Sequence, residues 1–253
     1  MKNSSKTPLV CILIAFGMLW LPLGQHDFLI QHWMKVGLFM APFLALTASA
    51  SRTNSSKESR IDLSIFSLIL FIAYIVHQFE EHWVDLFGNH YAFRPYLNSL
   101  LTERFGFENE TGGPLSDAGV FVINTSLVWL VAALAIWRAP GHAFPALCLA
   151  SIVVVNAVSH LGAAILTLGY NPGLLTTVLL FIPLGLSAYI WSLRSGSCKP
   201  REVAASLIWG LLGHVVMIVG MIASGSLGIF PESVYFVVLV VWSILPVFLF
   251  RNL

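Results

Sequence analysis

The segment His77-Gln78-Phe79-Glu80-Glu81 puts an imidazole and two carboxylates in one short stretch of an otherwise apolar run. Positions i, i+3 and i+4 share a helix face, so His77, Glu80 and Glu81 project together. Two neighbouring carboxylates repel strongly in a low dielectric if both are ionised. They call for a shared proton, a cation or water. A second pair, Asn156 and His160, has the i, i+4 spacing of a common face, and the turn Tyr170-Asn171-Pro172-Gly173-Leu174-Leu175-Thr176 follows it.

These residue types suit a single divalent metal. In the soluble H-x-x-E-H motif, histidines at i and i+4 bind zinc and the glutamate between them is the base. Here His77 and Glu81 hold the ligand positions and Glu80 the base position. His160 completes a His₂Glu set, a catalytic zinc set that keeps one position open. The same set describes the facial triad of non-haem iron, so zinc and iron both stand. Glu80 is then the general base for water. Asn156 orients His160 or binds a substrate oxygen, and Tyr170 or Thr176 donates to an oxyanion. His214 stands alone in its run; an interhelical hydrogen bond is its simpler reading, a fourth ligand the sharper one. His82, five residues past His77, points off that face and is expected at the interface. The reaction expected is hydrolysis of a lipid or other hydrophobic substrate. Other readings stay open: a metal-free acid–base isomerase or cyclase using one protonated and one ionised glutamate, an iron oxidoreductase on a lipid or terpenoid, a proton- or ion-coupled transporter, or polar groups that only join helices.

The elements that carry these residues are membrane spans. Of the 253 residues, 57% are hydrophobic and 10% charged, against about 25% charged in a soluble domain. Lipid must therefore be the solvent. A net charge of +1 leaves no basic face for nucleic acid. Cys11, Cys148 and Cys198 show neither disulfide nor zinc-ribbon spacing. A span needs about 20 apolar residues, and eight runs qualify as candidates: Pro8–Gly24, Phe28–Ala50, Asp62–Asp85, Ala118–Trp137, Ala143–Leu168, Gly173–Trp191, Val203–Ile222 and Val234–Phe250. Lys35 makes the second the least regular. No small-residue cleavage site follows the first, so it is expected to be retained.

The expected fold is an all-α polytopic bundle, one domain over 1–253, with a site-bearing core at about 62–180. With the N-terminus inside, ten lysines and arginines (Lys2, Lys6, Arg52, Lys57, Arg60, Arg138, Arg194, Lys199, Arg201, Arg251) fall on the inner side and three (Lys35, Arg94, Arg104) on the outer. That bias places both termini in the cytoplasm. His77 and His160 then lie roughly 22 and 25 Å along their outward spans at ~1.5 Å per residue, so they meet in the outer half of a cell membrane, on the extracytoplasmic side. The outer loop at 87–117 is long enough to fold over that level, and it contains the sequon Asn109-Glu110-Thr111.

The three motifs also resemble, in order, those of the HXXEE family of membrane proteins: HxxEE at His77 to Glu81, NxxxH at Asn156 to His160, and YxPGxxT at Tyr170 to Thr176. The resemblance implies a shared helical membrane fold and a shared site, and no particular activity.

Overall fold

The computed structural model describes residues 7–18, 27–53, 63–107, 113–139 and 141–250. Among these it is helical throughout, with a lone β-bridge between Val84 and His90. The helices are α1 (Thr7–Met18), α2 (Asp27–Thr53), α3 (Leu63–His82), α4 (Phe93–Phe105), α5 (Asp117–Arg138), α6 (Phe144–Thr167), α7 (Leu174–Arg194), α8 (Pro200–Gly225) and α9 (Glu232–Val247).

Six of them are long and apolar enough to cross a membrane: α2 over Asp27–Leu46, α3, α5, α6, α7 and α8. They coincide with the second to seventh expected runs. The eighth, α9, is a shorter apolar helix because Leu245–Val247 tighten into a 3₁₀ turn at Pro246. Its 16 residues rise roughly 24 Å, short of the ~30 Å hydrocarbon core. Of the first run, residues 8–18 lie in α1; the rest of that run, the basic linker beyond Thr53 and the sequon lie outside the described residues.

Local chemistry sets the helix ends. Ser116 caps α5, its Oγ accepting from Gly119 N at 2.8 Å, with Asp117 in the first turn favouring the positive end of the helix dipole. Pro200 opens α8, and Glu202 reaches back to accept from Lys199 N at 2.7 Å. α6 runs through the middle and packs against α3, α5, α7 and α8. It meets α8 closely: a Cβ on Gly210 would lie 2.5 Å from Ser151 Oγ, the small-residue contact by which membrane helices approach each other.

The bundle is apolar outside as well as inside. Phe39, Phe43, Ile165, Ile208, Val219 and Val237 are exposed, whereas His77, Gln78, Glu80, Glu81, His82, Asn124 and His160 are buried. Polar groups gathered inside an apolar exterior are the arrangement a bilayer demands.

Lys35 settles on the loop after α3, with Nζ 4.5 Å from the centre of the Trp83 ring and 5.8 Å from that of Tyr91. This cation–π contact is what lets α2 carry a lysine among apolar residues.

Candidate metal centre

The last turns of α3 and α6 end beside one another, and the turn at 168–173 closes over both. His77, Glu81 and His160 each bring a ligand atom into one group, all within 4.8 Å of one another. His77 Nε2 lies 3.4 Å from Glu81 Oε2, and His160 Nε2 lies 3.4 Å from Glu81 Oε1. The three residues chosen as ligands from spacing are thus brought together.

Neighbouring hydrogen bonds assign the tautomer of each ring. Asn171 Nδ2 donates to the His160 carbonyl at 3.0 Å, so Asn171 Oδ1 is the atom facing His160 Nδ1 at 2.6 Å. An amide oxygen only accepts, so His160 Nδ1 carries the proton. Thr176 Oγ1 lies 2.6 Å from Glu80 Oε2 and 2.8 Å from His77 Nδ1. The threonine has one proton, and the glutamate takes it, so His77 Nδ1 is also a donor. A neutral ring of this tautomer points its Nε2 lone pair at the Glu81 carboxylate. Lone pairs converging on a carboxylate are repulsive unless a cation lies among them.

Glu80 stands one layer behind. Its oxygens accept from Tyr170 Oη at 2.9 Å, Leu175 N at 3.1 Å, Thr176 N at 2.7 Å and Thr176 Oγ1 at 2.6 Å. The N–H groups at the start of α7 are those a helix leaves unpaired. Glu80 caps that helix from across the bundle, with its lone pairs engaged. The protons of Tyr170 and Thr176 are spent on it, which removes both hydroxyls as free oxyanion donors. Burial raises the Tyr170 pKa, although its bond from Leu86 N opposes this, and the Glu80 contact adds to the rise. The phenol stays protonated and holds Glu80 to the loop after α3. Asp85 shapes that loop: desolvation raises its carboxyl pKa, but bonds from Asn89, Phe87 and Gly88 outweigh this and hold it below the ordinary carboxylate value.

Asn156 touches His77 instead of His160. Its Nδ2 donates to Tyr74 Oη at 2.7 Å and lies 3.5 Å from His77 Nε2. His214 lines the adjoining cavity with Nδ1 bonded to the Gly210 carbonyl of its own helix at 2.9 Å.

The interfacial placement of His82 is corrected. It is buried, with Nε2 3.0 Å from Glu81 Oε2. The helical-wheel argument considers where Cβ points and neglects what packs there. α5 occupies that side, and its turns widen to π-helix over Asn124–Leu130, as helices often do at functional sites. Trp129 Nε1 donates to Gln78 Oε1 at 3.0 Å, Gln78 Nε2 to Asn124 Oδ1 at 2.9 Å, and Asn124 Nδ2 faces His82 Nε2 at 3.1 Å. A polar chain thus runs from α5 to Glu81. Thr125 and Ser126, by contrast, bond to carbonyls of their own helix.

Sequence reasoning also missed Asn171, although it lies inside the YxPGxxT segment, and Phe181. The latter ends a second π stretch, Thr177–Phe181, and packs its ring 4.1 Å from that of His77. Side-chain type was the available signal for Asn171; for Phe181 there was none.

A cavity of about 180 Å³ opens from this centre. Glu81, His82, Asn156 and His160 lie on its wall, and apolar residues of α4, α5 and α8 form most of the remainder. α4 comes from the long loop at 87–117 and is anchored by Asn98, which bonds to both N–H and carbonyl of Leu115.

Residues 68–188 match the family model described as a protein of unknown function with HXXEE motif, which spans all three motifs. No curated protein and no solved structure matches the chain.

Proposed function

We propose, from the premise that residues 68–188 form an HXXEE domain, that this chain is an integral membrane metalloenzyme: His77, Glu81 and His160 hold one divalent ion, and the reaction is hydrolysis of a lipid or other hydrophobic substrate. One observation carries the reading. The Nε2 atoms of two imidazoles each lie 3.4 Å from an oxygen of the same carboxylate. Charge-assisted hydrogen bonds are shorter, ~2.7–2.9 Å. Two donors each ~2.0–2.1 Å from a tetrahedral ion lie roughly 3.3–3.4 Å apart. The donor set suits zinc or iron alike.

A metal held there would acidify a water and polarise a substrate carbonyl or phosphoryl group. The chain's own residues supply the rest. Thr176 and Asn171 keep the two Nδ1 protons in place, so both rings present Nε2. We assign Glu80 to this supporting layer, because four donors already occupy its oxygens, and not to proton transfer. The latter falls to whichever Glu81 oxygen the ion leaves free. Asn156, on the cavity wall, is placed to meet a substrate oxygen.

Membrane sidedness belongs to the same reading. Arg138, Arg194, Lys199 and Arg201 border the starts of α6 and α8 and the ends of α5 and α7, the bundle end away from the metal centre. The positive-inside rule makes that end cytoplasmic and turns the centre outward.

Elemental analysis of detergent-purified protein, beside Glu81→Gln and His160→Ala, tests the assignment. Near-stoichiometric zinc or iron in the wild type, lost from both variants, is the expected result. A wild type that is metal-free and cannot be reconstituted would overturn it and favour acid–base isomerisation or transport.

A further inference from the structure

The wall of the cavity beside Glu81 has a feature that the hydrolytic reading does not use. α4 is amphipathic: Phe93, Tyr96, Leu97, Leu100 and Leu101 line the cavity at helical spacing, while Ser99, Glu103 and Arg104 do not. Met217, Ile218 and Met221 of α8 line it as well. Among the polar members of the wall, Glu81 lies 3.0 Å from His82 and 3.4 Å from His160, as atom-to-atom contacts. The Tyr96 hydroxyl is buried and has no hydrogen-bond partner among the described residues.

A mostly apolar space of about 180 Å³ lined by α4 and α8 among others suits one hydrocarbon chain. It is too small for the two chains of a phospholipid side by side. Pocket walls that are mostly apolar, with a few convergent polar groups, are the usual form of a small-molecule site.

We infer that the substrate carries a single alkyl chain, which lies between α4 and α8 with its polar reacting end at Glu81 and His160. The inference rests on the metal-site reading and adds the substrate class. α4 is then the wall that sets chain length.

The test uses the full-length protein in nanodiscs, loaded with Co(II) in place of the native ion so that visible ligand-field bands report the centre. Two probes, acetohydroxamate and octanohydroxamate, share a chelating head and differ in the chain. Octanohydroxamate is expected to bind more than about tenfold tighter, since each buried methylene adds severalfold. Leu97→Trp and Ile218→Trp fill the space from α4 and α8. Each is expected to weaken octanohydroxamate about tenfold and leave acetohydroxamate within about twofold. Octanohydroxamate affinity that equals that of acetohydroxamate, or that survives both substitutions, would overturn the inference while leaving the metal site standing. Loss of acetohydroxamate binding in both variants would count against it in the same way. If no Co(II) bands form at all, the metal-site reading fails and the substrate inference with it, and that outcome is visible before any probe is added.

Discussion

At the scale of single residues, the centre depends on which atom carries each proton. Thr176 is the pivot, because one hydroxyl accepts from His77 Nδ1 and donates to Glu80. Thr176→Val keeps the shape and removes both bonds. His77 then loses the partner that fixes its tautomer, and outer-layer losses of this kind cost about 10–100-fold in metal affinity. Competition with a chromophoric chelator should show that loss, and Thr176→Ser should retain wild-type affinity. Equal affinity in the valine variant would remove Thr176 from the metal's support. Glu80 and Glu81 adjoin in sequence yet do different work, since one meets the start of α7 and the other meets two histidines. Their types and spacing were legible from the sequence. Their division of labour was not, because it depends on which helix each side chain encounters.

At the scale of elements, the approach of α7 to the ends of α3 and α6 leaves no room at Gly173. Its φ is +93°, and a Cβ there would lie 2.7 Å from His77 Cε1 and 2.9 Å from His160 Cε1. Gly173→Ala thus adds backbone strain of about 1–3 kcal/mol and a side chain driven into both ligand rings. The variant should melt at a lower temperature and bind metal weakly. Gly162→Ala is the control on α6, where a Cβ meets nothing within 4 Å; it should melt no lower than wild type and bind metal normally. A Gly173→Ala protein that binds metal as tightly as the control would show that this close approach is not needed. The glycine stood out in the sequence as part of a Pro-Gly turn. That the absent side chain makes space for two imidazoles emerges only when three helices meet.

At the scale of the whole molecule, antiparallel alternation puts the loops at 83–92 and 168–173 at one end of the bundle and the loop at 195–199 at the other. Single cysteines at His90, Gly169 and Ser195, all exposed positions, in a background with Cys11 and Cys198 replaced, test this arrangement. A membrane-impermeant maleimide applied to intact cells should label His90→Cys and Gly169→Cys and leave Ser195→Cys unlabelled until the cells are opened. The reverse pattern would invert the proposed sidedness. Labelling of all three in intact cells would mean that α7 does not span.

Composition and the length of the apolar runs pointed to long membrane-type helices, because 57% hydrophobic and 10% charged residues cannot be covered by a polar surface. Helical periodicity determined that His77 and Glu81 share a face, since residues i and i+4 are neighbours on any α-helix. The second to seventh apolar runs likewise located the long helices. Tertiary structure decided the rest. A run of apolar residues does not say where a helix stops, and Pro246 shortens α9. A wheel diagram does not include the neighbouring helix, and α5 draws His82 into the centre. Spacing within one helix cannot assign a carboxylate to a metal or to the end of another helix. Glu80 and Glu81 differ because the partner surfaces around α3 differ, and those surfaces exist only once the bundle is packed.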